Sequence, residues 1–282
     1  MIERCYLEIT NICNLSCAFC PGNKRTKAKM DMETFSLLTD KLRGKVRFLY
    51  LHLMGEPLVH ERLSEFVRMA RDKGLVPIVT TNGTLLKKRG QELLDAAPYK
   101  YQISLHSQEG NGVKDLREYL SDVLEFALEA AGKGSIVVLR LWNQGGMERQ
   151  NKDILEFIQT FFPLPWDERY DGWKLSKGIY LEYGDKFDWP DLSAQESTGS
   201  LFCYALRNQI GVLVDGSVVP CCLDHEGDVT LGNLLTQSLE EILSTDRAKR
   251  LFDGFTHHQA VESLCRRCGY VQKKMLRGSG FE

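Results

Sequence analysis

Cys13, Cys17 and Cys20 fall in one short stretch, Asn11-Ile-Cys-Asn-Leu-Ser-Cys-Ala-Phe-Cys-Pro21. Three thiolates with no fourth nearby can hold a metal or a cluster and leave one coordination position open. An open position separates a centre that does chemistry from a fully ligated structural one. On a four-iron cluster, the iron left free could take a small chelating cosubstrate. A second group lies late in the chain: Cys203, Cys221, Cys222, Cys265 and Cys268. A Cys-x2-Cys with two distant cysteines reads as a four-thiolate site, and spacing alone leaves zinc and an iron–sulfur cluster level. Cys5 stands apart inside an apolar run and reads as a small buried hydrophobe.

The 282 residues carry a net charge of −2, so composition does not point to nucleic acid. Glu3, Arg4 and Glu8 interrupt the start of the chain, which therefore lacks the pattern of a secretory signal. No apolar run is long enough to span a bilayer. These features predict a cytoplasmic protein, in which clustered cysteines bind metal or do redox work rather than form disulfides. Basic stretches at 24–29, 247–250 and 273–277 read as solvated faces.

Something must position the cysteines. Apolar runs at 5–10, 46–54, 75–81, 101–105, 135–142 and 178–183 read as strands. Between them, helical periodicity starts at Asp31 and closes at Gly44, then recurs over 61–73, 84–97, 113–131 and 146–162. A loop rich in Pro and Trp follows residue 162, and its aromatics could cover an open side or simply pack against a second domain. Strand–helix repeats of this length predict an α/β fold with a parallel sheet and right-handed crossovers. Six units are too few for a full eight-stranded barrel, so a partial (βα)6 barrel is expected, active at the C-terminal ends of its strands.

Polar and glycine signals do follow the strands. The cysteine loop follows the first, Gly55 and Glu56 the second, Thr81-Asn82-Gly83 the third. Ser104 and His106 end the fourth, Arg140 lies near the end of the fifth, and Glu182 and Asp185 follow the sixth. Each signal alone is ordinary turn chemistry. Their common placement is the informative feature.

From 189 the pattern changes. A polar stretch at 190–199 reads as a linker. Asp215-Gly216 between apolar runs predicts a hairpin, and Ser238 with Glu241 a capping box opening a helix to about Phe252. The expected division is 1–188 and 189–282.

The Cys-x3-Cys-x2-Cys loop after strand one, with Phe19 before the last cysteine, resembles the radical S-adenosylmethionine superfamily over most of the chain. The resemblance implies a [4Fe–4S] cluster on Cys13, Cys17 and Cys20, whose open iron is chelated by S-adenosylmethionine. It implies that Gly55-Glu56 stands for the family's Gly-Gly-Glu motif, with Met54 replacing the first glycine. By the same analogy Ser104 serves the ribose, Arg140 the carboxylate or substrate, and Asn82 belongs to the cofactor rim. Gly216-x4-Cys221, with a terminal Cys-x2-Cys, looks like a twitch domain, the shortened SPASM form. That implies a small C-terminal α+β domain with an auxiliary [4Fe–4S] cluster on Cys203, Cys221, Cys265 and Cys268, with Cys222 as the rival of Cys221.

The layout is most similar to the twitch-type (inosamine) alcohol dehydrogenases of aminoglycoside biosynthesis. The implied reaction cleaves S-adenosylmethionine reductively to a 5′-deoxyadenosyl radical, which takes a hydrogen atom from the substrate. The first expectation is therefore oxidation of a small polyol, sugar or amino-sugar, the auxiliary cluster accepting an electron. Glu182, Asp185, His52 and His106 are the base candidates. A second expectation is maturation of a ribosomal peptide by crosslinking or epimerisation, although such enzymes usually carry a leader-recognition segment before the barrel. A non-catalytic zinc or iron–sulfur scaffold is a third, disfavoured by the polar rim. A flavodoxin or ferredoxin-like reductant is the implied protein partner.

Overall fold

The computed structural model describes residues 2–111, 115–197 and 199–276, the side chains of 273–276 excepted. Ile2, Cys5 and Leu7 bury one side of β1 (Ile2–Leu7). Asp31 caps α1 (Met32–Leu42), its carboxylate accepting from Thr34 N at 2.7 Å. Gly44, at φ +72°, turns the chain into β2 (Val46–Tyr50), parallel to β1.

α2 (Leu63–Asp72), β3 (Val76–Thr81), α3 (Leu86–Ala96), β4 (Lys100–Ser104), α4 (Leu116–Gly132), β5 (Ile136–Gln144) and α5 (Asn151–Phe161) follow as strand–helix units. Asp115 caps α4 through Glu118 N at 2.9 Å; the helix start expected at Val113 lies outside the described residues. The segment expected to be a plain loop contains a hairpin, β6 (Asp167–Arg169) and β7 (Gly172–Ser176), whose second strand pairs antiparallel with β8 (Ile179–Asp185). β6 is exposed along its length and has no core-facing alternation to betray it.

β9 (Gln209–Val212) and β10 (Ser217–Val219) form the predicted hairpin, with Gly216 at φ +83° and β11 (Gly232–Asn233) beyond. The helix expected from Ser238 to Phe252 is two helices. α6 (Leu239–Leu243) has the capping box, and Thr245 recaps the chain into α7 (Asp246–Thr256) through Ala248 N. α8 (Ser263–Arg266) and α9 (Gly269–Leu276) complete the chain.

Two compact units result. One contains Met1–Asn11, Pro21–Met54 and Phe187–Glu282; the other Ile12–Cys20 and Gly55–Lys186. In the first, the strand order is β11-β10-β9-β1-β2, with β9 parallel to β1. The late hairpin thereby covers an edge of β1 that would otherwise present unpaired backbone. Leu7, Phe35, Leu38 and Leu49 are core residues of this unit. In the second, the order is β3-β4-β5-β8-β7-β6, parallel from β3 to β8. Its core includes Phe66, Tyr101, Leu124 and Leu139. Both strand runs are mixed, because antiparallel hairpins extend the parallel strands. No helix among the described residues is long and apolar enough to cross a membrane.

Candidate active site

The cysteine loop belongs to the second unit and is held there by backbone and amide contacts. Glu56 N donates to Ile12 O at 2.9 Å, and Cys20 N to Cys17 O at 3.0 Å. Asn14, between the first two cysteines, accepts from Asn82 Nδ2 at 3.0 Å and donates to Thr84 Oγ1 at 2.8 Å. Leu15 N reaches Cys13 Sγ at 3.4 Å, and Asn111 Nδ2 reaches Cys17 Sγ at 3.0 Å. Partial desolvation pushes the Cys13 thiol up, and Glu56, Cys17 and Cys20 add to it. The three thiols and this carboxylate therefore share one electrostatic neighbourhood.

Gly55 takes φ +79°, the left-handed turn that suits glycine. Beside it, Glu56 is only 2% exposed. Its carboxylate accepts from Asn82 N at 2.7 Å, Thr81 Oγ1 at 2.8 Å and Leu58 N at 3.0 Å. Burial outweighs these donors and lifts its pKa from 4.5 to about 7. Asn82 is similarly enclosed: its Oδ1 accepts from Thr84 Oγ1 at 2.6 Å, and its carbonyl from Tyr119 Oη at 2.9 Å.

A polar row crosses the adjacent strands. Ser104 pairs in register with Arg140, and Arg140 with Glu182. Arg140 Nε is 4.0 Å from Glu182 Oε2, and its guanidinium lies 4.1 Å over the Trp142 ring. His106 Nδ1 sits 3.1 Å from the Arg140 carbonyl and 3.3 Å from Trp142 N, with Phe19 packed at 5.0 Å. Burial pulls its pKa down to about 4, which keeps the ring neutral. Asp185 ends β8 opposite Gln144. His52 lies in the first unit against Tyr6 and Tyr50.

The late cysteines converge within the first unit. Burial raises the Cys221 thiol strongly, and Cys222, Cys203, Cys265 and Cys268 raise it further. Cys265 is raised by burial, then by Cys203 and Cys268. Burial pushes the Cys222 thiol up to about 12, with Cys203 and Cys268 adding to it and a side-chain hydrogen bond with Tyr6 working against it. Arg266 and Arg267, between the last two cysteines, both pair with Glu196, at 3.1 and 2.5 Å. The polar stretch read as a linker thus anchors the Cys265–Cys268 turn. Among the described residues no three His, Cys, Asp or Glu groups are placed to hold a single metal ion.

The family model of the radical SAM superfamily matches residues 7–158. The chain belongs to this superfamily. A second model, the SPASM iron–sulfur cluster-binding domain, matches residues 203–269. Among relatives, the radical SAM chain is 25% identical to an S-adenosyl-L-methionine-dependent 2-deoxy-scyllo-inosamine dehydrogenase of Niallia circulans, over 96% of this chain and 93% of that one. It is 30% identical to the PqqA peptide cyclase of Bradyrhizobium diazoefficiens, over 62% of this chain and 49% of the relative. Its fold is like the crystal structure of BtrN in complex with AdoMet and 2-DOIA (TM-score 0.62, 20% identity, 95% and 93% covered). It is also like anSMEcpe with bound AdoMet (TM-score 0.66, 12% identity, 98% and 95% covered).

This radical SAM chain is an enzyme whose cofactors are S-adenosylmethionine, a [4Fe–4S] cluster and auxiliary iron–sulfur. The residues present fit those groups by their chemistry: two sets of mutually close thiols, each suited to iron–sulfur ligation. Sequence reasoning overlooked Asn14, Thr84 and Asn111, which brace the first set, and Glu196, which braces the second. Their only signal is polarity close to the cysteine motifs or, for Thr84 and Asn111, after strands three and four. Arg25 and Arg247 correct the reading of the basic stretches as solvated, since they pair with Glu8 and Glu262. The side chains of 273–277 lie outside the described residues.

Proposed function

We propose that the chain is an oxidoreductase that dehydrogenates a carbinol carbon of a small polyol, sugar or amino-sugar. In this reading residues 1–188 serve S-adenosylmethionine and 189–282 serve one auxiliary cluster. The observation that carries it is the mutual closeness of Cys203, Cys221, Cys265 and Cys268. Four thiolates close a cluster to substrate and suit it to electron transfer. Removing a hydrogen atom and a proton from a carbinol leaves one electron to dispose of. Likeness to the inosamine dehydrogenase along nearly the whole chain supports the same reaction class.

When bound, the cofactors supply a 5′-deoxyadenosyl radical and an acceptor for the leftover electron. The chain's own residues do the rest. Cys13, Cys17 and Cys20 hold the cluster, and Gly55, Glu56 and Asn82 shape the rim beside it. Ser104 and Arg140 orient cofactor and substrate at the strand ends. Glu182 takes the hydroxyl proton, because it faces Arg140 in the same row. His106 has Nδ1 already engaged with the Arg140 carbonyl, and Asp185 lies beyond the row. A flavodoxin or ferredoxin-like protein supplies the reducing electron.

The test is to incubate the reconstituted enzyme with carbinol-deuterated polyols and amino-sugars and to follow deuterium into 5′-deoxyadenosine. Transfer with formation of a carbonyl product supports the proposal. Transfer from a deuterated peptide alone would favour peptide maturation, the reading supported by likeness to the PqqA peptide cyclase. Failure to cleave S-adenosylmethionine would sink both.

A further inference from the structure

The side chain of Asn111 makes three hydrogen bonds in a 3-10 turn, Glu109–Asn111, pressed on the cysteine loop. Its Oδ1 accepts from Ser16 N at 2.9 Å. Its Nδ2 donates to Ser107 O at 2.6 Å and to Cys17 Sγ at 3.0 Å. The amide orientation is determined by its partners: Ser16 N can only donate and the Ser107 carbonyl can only accept. The Nδ2 group must therefore face the sulfur. The turn itself is fixed on both sides. A Cβ on Gly110 would stand 3.4 Å from the Cα and Cβ of Cys17 and from Ala18 N, ordinary contact with the loop backbone. The Glu109 carboxylate accepts from Arg149 N at 3.1 Å and Gln150 N at 3.4 Å, where α5 begins.

We propose that Asn111 is a positioning residue that sets the reduction potential of the cluster held by Cys13, Cys17 and Cys20, acting through its N–H bond to the Cys17 thiolate. The inference rests on the radical SAM reading of that trio. A donor aimed at a ligating sulfur stabilises the added negative charge of the reduced state, and hydrogen bonds to sulfur are among the factors that set such potentials. Asn111 makes the one-electron reduction easier, and the tie to Ser16 keeps the donor on the sulfur.

The test is an EPR-monitored redox titration of the cluster whose signal responds to S-adenosylmethionine, with iron per chain measured in parallel. It compares wild type, Asn111→Ala and Asn111→Asp. Asn111→Ala is expected to keep its iron while its midpoint moves to a more negative potential, with a smaller reduced fraction at a fixed poise. Asn111→Asp keeps the acceptor for Ser16 N and sets an acceptor against the sulfur, so it is expected to move the midpoint further the same way. A loaded variant at the wild-type potential overturns the inference, as does loss of iron from both variants, which would make the turn scaffolding alone. A wild-type cluster indifferent to S-adenosylmethionine would instead sink the functional reading, and the inference with it.

Discussion

Glu8 and Arg25 form a bidentate ion pair, Oε1 to Nη2 at 2.6 Å and Oε2 to Nη1 at 2.8 Å, with the Glu8 side chain fully buried. The same carboxylate accepts from Val214 N at 3.0 Å and Met54 N at 3.2 Å. Arg25 Nε donates to His225 O at 2.8 Å. The segment just after Cys20 is thereby tied to β1 and to the loop that follows Cys221 and Cys222. Arg25→Met would leave a carboxylate buried without its counter-charge, and a loss of about 3–5 kcal/mol is expected. Met at both positions should cost much less than the two single losses added. Denaturant unfolding of the four proteins measures this; additive losses would show that the pair is not coupled.

The local signals in the sequence were legible. Asp31, the Asp215-Gly216 turn and the Ser238–Glu241 box each act within a few residues, and each is found where it was read. What depends on distant pairing was not. β6 consists of Asp167, Glu168 and Arg169, whose strand conformation comes from pairing with β7. The alignment of β9 with β1 joins residues 205 positions apart, Arg4 with Gln209 and Leu7 with Val212. The cysteine motifs were readable because thiols are rare and their chemistry is narrow. Asn111 was not, because an asparagine in a turn acquires its role only when a fold brings a sulfur to it.

His106 makes stability depend on pH in a stated direction. Burial, its main cause, lowers its pKa from 6.5 to about 4. The unfolded chain therefore binds more protons between those values, and stability falls as pH drops from about 6.5 to 4. The contribution is fully present above 6.5 and is on the order of 1–3 kcal/mol. His106→Gln should flatten this part of the stability–pH curve. Unfolding midpoints of both proteins at pH 7.5, 6 and 5 provide the check; parallel curves would contradict the assignment.

Glu56 shifts the other way. Its pKa stands at about 7, raised by burial, so the folded state binds the extra proton between 4.5 and 7 and this group's contribution declines as pH rises through that range. Removing the side chain is nevertheless costly. Glu56→Ala would strand three buried donors, Asn82 N, Thr81 Oγ1 and Leu58 N, at about 1–3 kcal/mol for each group left unsatisfied. Glu56→Gln should lose less, because Oε1 can still accept from Leu58 and Thr81 while only Asn82 N loses its acceptor. Thermal unfolding should rank the variants wild type, Gln, Ala; an Ala variant as stable as Gln would refute the accounting.

Cys221 and Cys222 are adjacent in sequence and differ in company. Cys221 lies among Cys203, Cys265 and Cys268; Cys222 lies near Cys203 and Cys268 as well, but its side chain is engaged with Tyr6. A ligand must present its sulfur to the other three thiols, and a thiol hydrogen-bonded to a tyrosine on β1 has another task. Cys221→Ser is therefore expected to lose about half of some eight irons per chain, the complement of two four-iron clusters. Cys222→Ser should retain nearly all of them, because Ser can keep the hydrogen bond to Tyr6. Iron and sulfide analysis after anaerobic reconstitution decides between the two cysteines: if Cys222→Ser loses half its iron and Cys221→Ser keeps it, the ligand assignment is reversed.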